Sequence, residues 1–421
     1  MNRSIQIWAR ILGIVLTVGF LGGCQSRKVI VTVDGWSDTT QTLYVSSALG
    51  SRLGDSITVS RDQTRFIINL PNEQNGWFTI NAATMADDGN KYSVATASTQ
   101  IEDKTTFPVE ITLKLCKLPV PTTASWVPYC NPSDAEVNVI HGSNPNSLYA
   151  VSNQGPPDQR CTLLQWNGSE WHKFEDPAIG YFVRVIGLGM TDIWVSSFFD
   201  GIAHYDGIRW IRTAPGSETG IANPGPYFGF CGRDNSDIWA AGNNGYVLHW
   251  NGTRWNQMTH VAIPKLQLGW LWCDNSGTVW NVGATAESAG KVYSFDVSRL
   301  NPTIDLKMIT GIAKKLNHIT GIDKDNILVS ADDGLVFILR NGEWKRFDTG
   351  VLSSFQSGIM FSAQDAWLVG DNGKIVHWNG VKFIETSTNT SNKFWSIWGT
   401  SSNDLWAVGS GTRDRVYRFI P

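Results

Sequence analysis

Two stretches of this chain align without a gap: DIWAAGNNGYVLHWNGTRW at 237–255 and DAWLVGDNGKIVHWNGVKF at 365–383. DIWVSSFFDGIAHYDGIRW at 192–210 is a third copy, and DNILVSADDGLVFILRNGEW at 325–344 is a looser one. With the Trp of the Asp-x-Trp word as landmark, the series is Tyr149, Trp194, Trp239, Trp280, Leu328, Trp367 and Trp406, spaced 45, 45, 41, 48, 39 and 39 residues apart. A module of this length cannot bury its apolar face alone, so the chain must stack an array of them. Each module reads as four short strands: an inner strand such as KFWSIWG, a second such as LWAVG, a third such as KIVHW, and an outer strand opening on an aromatic. Seven such units predict an all-β fold with a seven-bladed β-propeller over 121–421.

Asn-Gly or Asp-Gly separates the third and outer strands at 167–168, 206–207, 251–252, 341–342 and 379–380. Between alternating apolar runs these pairs predict two-residue hairpins of type I′, whose central residues both need positive φ. The fourth repeat departs from this with SFDVSRLNPTIDL, which predicts an irregular outer strand or an insertion. The last repeat stops after its third strand, at RVYRFIP, and an open blade edge invites aggregation. TTASWVPYC, around Trp126, looks like the outer strand GSEWHKF around Trp171. Residues near 123–129 are therefore expected to complete the seventh blade, closing the ring with strands from both ends.

The balance of 34 basic against 37 acidic residues, a net charge of −3, argues against a nucleic-acid binder with a basic face. Seventeen of the 20 tryptophans lie between 126 and 406, so the wide aromatic surfaces serve the repeats.

Arg3 and Arg10, the apolar run ILGIVLTVGF and the small residues before Cys24 describe a secretory signal over 1–23, too short for a comfortable transmembrane helix. Leu21-Gly22-Gly23-Cys24 resembles the bacterial lipobox. That resemblance implies that Cys24 is lipidated and begins the mature protein, and Gln25 after it implies export to the outer membrane. Residues 24–28 are then the lipidated cysteine and a short tether; its four residues after Cys24 reach roughly 13 Å, which keeps the next domain near the membrane. That domain, 29–115, alternates as TLYVSSAL, SITVS, RFIINL, GWFTINAAT, KYSVATAS and FPVEITLKL with turn signals between, which predicts a β-sandwich of immunoglobulin-like size. It is similar to the small sandwich modules that precede other domains in bacterial surface lipoproteins.

Five further cysteines remain, Cys116, Cys130, Cys161, Cys231 and Cys273, an odd number for an oxidising compartment. Cys116 and Cys130, flanking KLPVPTTASWVPY, are the candidate disulfide, and Cys231 with Cys273 is a second one from neighbouring repeats. For both pairs the preferred alternative is a buried thiol acting as a small apolar residue.

The repeats over 121–421 resemble the tryptophan-rich propeller repeats of lipoproteins of Gram-negative bacteria and, more distantly, the propeller sensor domains of two-component regulators. The resemblance implies a fold and little about activity, because propellers host unrelated functions.

His204, His249 and His377 hold the same repeat position, so they are separated around a ring and cannot share an ion; no metal or other cofactor is expected. GATAESAGK at 283–291 has the wrong spacing for a phosphate-binding loop and reads as a loop between strands. CDNSGTVW misses the sialidase Asp-box, and no Gly-x-Ser-x-Gly elbow occurs, so no catalytic residue is assigned.

The inner strands YFVRVIG, PYFGFCG, LGWLWCD, NHITGID and KFWSIWG supply the candidate binding residues Tyr181, Arg184, Tyr227, Trp270, His318 and Trp395. Each could instead pack between blades. Yet these positions vary from blade to blade while the third-strand and outer-strand tryptophans recur, and a specific site on a pseudo-symmetric ring must break the symmetry. The expected site is thus the channel mouth, with Arg184 as its charged contact and the loop 213–226 overhanging it. The expected function is a non-catalytic, monomeric binding platform for envelope proteins. A glycan-binding module is the alternative, with a propeller glycosidase behind it.

Overall fold

The computed structural model describes the chain from residue 27 onward, except 35–41, 50–51, 54–55, 61, 71–75, 86–90, 103–104, 115, 118–123, 130–135, 154–160, 169–170, 175–180, 199–200, 214–225, 243–245, 259–266, 286–287, 297–304, 308–313 and 412–414. The signal segment, Cys24, Cys130 and the side chain of Cys116 lie outside the described residues. Strand is the dominant structure of the described chain, which divides into two compact units, one built mostly from residues up to 120 and the other mostly from 121 to 421.

In the first unit, Lys28–Asp34 is antiparallel to Arg65–Asn69 and parallel to Val109–Lys114. A second sheet runs Arg52–Leu53, Thr42–Leu49, Gly76–Met85, Lys91–Ile101 and Cys116–Lys117, with Ile57–Ser60 also paired to Thr42–Leu49. Alternation sets the core: Val29, Val31 and Val33 face inward from Lys28–Asp34 and join Phe66, Leu43, Val45, Phe78 and Ile80 in one apolar cluster drawn from both sheets.

Beyond residue 124 the described residues form seven four-stranded sheets, all within the second unit except the outer strand Trp171–Lys173 of the first sheet, which is grouped with the first unit. Their inner strands are Glu136–Asn144, Phe182–Gly189, Tyr227–Asp234, Gln267–Cys273, Leu316–Asp323, Phe355–Ser362 and Phe394–Ser401. Each inner strand packs against the next, and the seventh packs against the first. The second strands DIWVSS, DIWAAG, NILVSA, DAWLVG and DLWAVG bury every residue after the first, as expected for sheets covered on both faces. Ser125–Tyr129 lies antiparallel to Val416–Ile420 and supplies the fourth strand of the seventh sheet.

The hairpins differ from expectation. Only Asn341 and Gly342 both have positive φ, 51° and 80°, as type I′ demands. At 167–168, 206–207, 251–252 and 379–380 the glycine alone is positive. In three of these the preceding side chain closes the turn instead. Asp206 Oδ1 accepts from the N–H of Ile208 and of Arg209 at 2.9 Å, Asn251 Oδ1 from Thr253 and Arg254 at 3.1 Å, and Asn379 Oδ1 from Val381 and Lys382 at 3.0 Å. The strands accordingly rejoin at Tyr205↔Trp210, Trp250↔Trp255 and Trp378↔Phe383, two residues later than a type I′ turn would allow.

The fourth repeat keeps a short outer strand, Asp305–Lys307, paired to Ser288–Asp296. The described residues of the segment 283–291 are strand instead of loop: Gly283 pairs with Lys291 and Thr285 with Ser288.

Candidate functional site

The repeated word builds a polar clamp on the second and third strands. In the third sheet Asp237 Oδ1 accepts from Trp239 Nε1 at 2.6 Å and from His249 Nε2 at 2.9 Å, and the two rings stack with centroids 4.1 Å apart. Asp192, Trp194 and His204 repeat this in the second sheet, at 3.0 and 2.8 Å with stacking at 4.0 Å. In the sixth sheet His377 bonds Asp365 at 2.9 Å and stacks on Trp367 at 4.3 Å. The seventh sheet puts Arg418 in place of the histidine, 4.9 Å over Trp406. In the fifth sheet the pair is Leu328 and Ile338, and the clamp is absent. The histidines are thus each engaged within their own sheet, and among the described residues no cluster of three His, Cys, Asp or Glu side chains could hold a metal.

A second set of side chains occupies one position in every inner strand, two residues before the partner of the landmark. The landmarks Tyr149, Trp194, Trp239, Trp280, Leu328, Trp367 and Trp406 face His141, Ile186, Cys231, Trp272, Thr320, Ile359 and Trp398. Two residues earlier stand Val139, Arg184, Gly229, Trp270, His318, Ser357 and Ser396. In three of the sheets this residue ties its strand to the next. Ser396 Oγ accepts the N–H of Ile140 at 3.3 Å, Ser357 Oγ accepts that of Ile397 at 3.4 Å, and His318 Nε2 donates to the carbonyl of Gly358 at 2.9 Å.

Arg184 and Trp270 form an aromatic and cationic group with His318. Trp270 meets His318 edge-on with centroids 4.5 Å apart, and the Arg184 guanidinium lies 4.0 Å above the Trp270 ring. Arg184 stands on the second sheet and Trp270 on the fourth. Gly229, at the same position on the third, interposes no side chain, and a Cβ there would lie 2.6 Å from the Gly269 carbonyl oxygen. Burial lowers the Arg184 pKa to about 10. Burial, with the Arg184 charge beside it, lowers His318 to about 3, so its imidazole is neutral at physiological pH.

The structure therefore brings together Arg184, Trp270 and His318 and leaves the other three candidates apart. Tyr227 is not at a mouth: it is fully buried in a cluster with Ile186, Trp194, Phe230 and Trp255, and burial pushes its phenol pKa upward. A β-bulge between Tyr227 and Gly229 separates it from the Arg184-equivalent position. Tyr181 is half-buried, in a left-handed backbone conformation (φ 49°), and its ring meets Phe198 at 5.6 Å. Trp395, also half-buried, stacks under the Lys393 ammonium at 3.9 Å. Ser357 and Ser396 are members of the set that sequence reasoning passes over, because small residues give no aromatic or charged signal.

Cys231 and Cys273 form a disulfide between the third and fourth sheets, with Cα atoms 5.8 Å apart, which corrects the preferred reading of both as thiols. The closed segment spans 42 residues. Replacing both cysteines by Ala is expected to lower stability by about 2–4 kcal/mol, read as a lower urea midpoint at unchanged slope. An unchanged midpoint would show that the bond constrains nothing the sheets do not already hold.

No protein-family model matches the chain, and no curated protein sequence does. Solved structures do match, and they define the class as β-propeller. YCF48 bound to D1 peptide aligns with a TM-score of 0.55 and 14% identity, over 72% of this chain and 100% of that one. YCF48 from Cyanidioschyzon merolae aligns at 0.56 and 12%, over 71% and 99%. The WD40 β-propeller domain of Doa1 aligns at 0.53 and 14%, over 71% and 97%. At these identities the likeness speaks to fold.

Proposed function

We propose that this chain is a lipid-anchored protein of the bacterial cell envelope whose second unit, a closed seven-bladed propeller, serves as a non-catalytic platform for protein partners. One observation carries the reading. The Asp-Trp-His clamp recurs in the second, third and sixth sheets, whereas the inner-strand set runs Val139, Arg184, Gly229, Trp270, His318, Ser357 and Ser396 with only the serine recurring. Packing needs alone favour repetition, and a specific site requires difference. The fold neighbour captured with a peptide is consistent with this use of a propeller. The cycle of inner-strand contacts supports seven blades, and the single apolar cluster shared by two sheets supports a β-sandwich in the first unit.

The address rests on Leu21 to Cys24, and the Cys231–Cys273 bond supports an oxidising compartment. Cys24→Ala is expected to leave an unlipidated precursor that no longer fractionates with membranes. An Ala variant that partitions as before would overturn the anchor. The platform itself is tested by crosslinking and affinity capture from native envelopes. Recovery of a reproducible partner set, insensitive to competing sugars, is the expected result, and sugar-competable binding would favour a glycan reader instead.

A further inference from the structure

An arginine inside a protein ordinarily answers a carboxylate, because a desolvated cation without a counter-charge is strongly unfavourable. Arg184 does not follow this rule. Its Nη1 donates to the carbonyl of the adjacent Val183 at 2.8 Å, and one face of the guanidinium is covered by Trp270 at 4.0 Å. Its Nε is buried with no hydrogen-bond partner, and no carboxylate among the described residues pairs with it. Beside it, against the same indole, His318 is only 6% exposed. Its bond to the Gly358 carbonyl fixes the proton on Nε2, so the buried Nδ1 is a bare acceptor, and it too has no partner. Arg184 and Trp270 keep part of their surface open to solvent, whereas Arg184 Nε and His318 Nδ1 are themselves closed off from it.

A guanidinium without a counter-ion is complementary to a carboxylate, whose two oxygens match its fork. We propose that Arg184 and Trp270 form a receptor for a peptide carboxylate, with Arg184 pairing the oxygens and Trp270 flanking the chain, while His318, edge-on to the indole, fixes its position. This rests on the platform reading above and names the ligand chemistry of its site. Both an α-carboxylate and an aspartate side chain supply such a group, and the experiment separates them.

Uniformly 15N-labelled protein is titrated with Ac-Gly-Ala-Ala-Ala carrying a free C-terminus, with its C-terminal amide, and with Ac-Ala-Asp-Ala-amide. The indole N–H signal of Trp270, identified by its loss in Trp270→Phe, is followed. At least one carboxylate peptide is expected to shift it saturably, and which one does so identifies the source. Arg184→Met is expected to weaken that binding about tenfold or more while melting no lower than the parent, since a half-buried charge without a counter-ion has been removed. Should the Met variant fail to fold, Arg184→Lys decides: it keeps the charge without the fork and is expected to bind several-fold more weakly. The proposal falls if neither carboxylate peptide shifts the signal up to about 10 mM, if the amide peptide shifts it equally, or if a folded Met or Lys variant binds as tightly as the parent. Envelope partners captured equally by the parent and Arg184→Met would leave the platform standing and remove this site. Carboxylate binding without any captured partner would do the reverse.

Discussion

A chain lacking residues 121–130 is expected to lose its cooperative melt or to associate, because the deletion removes a strand that both ends of the repeat array depend on. Ser125–Tyr129 is laddered against Val416–Ile420 from Ser125↔Ile420 to Tyr129↔Val416. Trp126, 3% exposed, lies 5.9 Å from Trp367 of the sixth sheet and 5.5 Å from Phe419 of its own. Tyr129 lies 5.0 Å from Trp406 and 5.6 Å from Trp166 of the first sheet. The strand is therefore packed into the sheets on either side of it. Trp126→Ala alone should lower stability by about 3–5 kcal/mol through the cavity and the lost burial. The full deletion adds the ladder and exposes Val416–Ile420 as an unprotected edge, which favours pairing between molecules. Calorimetry and size-exclusion chromatography check this, and a monomer with an unchanged melting temperature would rule out the closure role.

Self-alignment explains what the sequence made legible. Because the Asp-x-Trp word recurs, the second and third strands and the position of each hairpin can be read by laying repeats over one another, and Trp126 can be matched to Trp171 in the same way. Finer features escape because they depend on quantities that the repeat does not encode. The turn type is decided by whether an Asp or Asn carboxamide or carboxylate folds back onto the next N–H groups, as Asn379 does and Asn341 does not. The disulfide joins Cys231, which faces Trp239, to Cys273, which faces Val279 one step out of the repeat alignment, so the repeat marks the pair as a candidate without deciding between a bond and two buried thiols. Among the candidate site residues, Tyr227 and Arg184 look alike in sequence, as conspicuous residues near the start of inner strands. A bulge after Phe182 and another after Tyr227 put Arg184 and Gly229 in the shared set and send Tyr227 into the core. Counting two residues back from the landmark's partner would have found Ser357 and Ser396, but it needs the register, which only the structure supplies.

Asp237→Ala is expected to be the most damaging single substitution in the Asp-Trp-His clamps, because among the described residues only this copy pairs its carboxylate with a cation, Arg233, that also bonds another sheet. Arg233 Nη1 pairs with Asp237 Oδ2, while its Nε donates to the Asp274 carbonyl at 2.7 Å and its Nη2 to the Thr278 carbonyl at 3.4 Å, both near the second strand of the fourth sheet. The Asp237 and Arg233 side chains are 23% and 17% exposed. Removing the carboxylate leaves a largely buried guanidinium uncompensated and frees Trp239 Nε1 and His249 Nε2 together. A loss of about 3 kcal/mol is expected, toward the lower end for a buried pair because some solvent remains. Asp192→Ala, whose clamp has Leu188 where Arg233 stands, should lose about 1 kcal/mol. The same node predicts a pH signature. Burial alone would raise the Asp237 pKa, but the bonds from His249, Arg233 and Trp239 outweigh it and hold it at about 2, below the ordinary 3.8. A depressed carboxylate contributes stability that is complete above its unfolded pKa and is lost as pH falls through the folded one, so the window runs from about pH 4 down to about pH 2. Urea midpoints across that window should fall more steeply for the parent than for Asp237→Asn, a difference worth about 2 kcal/mol in total. Parallel curves would mean that Asp237 is not the group that titrates with folding, and that the clamp is held by stacking of Trp239 on His249 rather than by its charge.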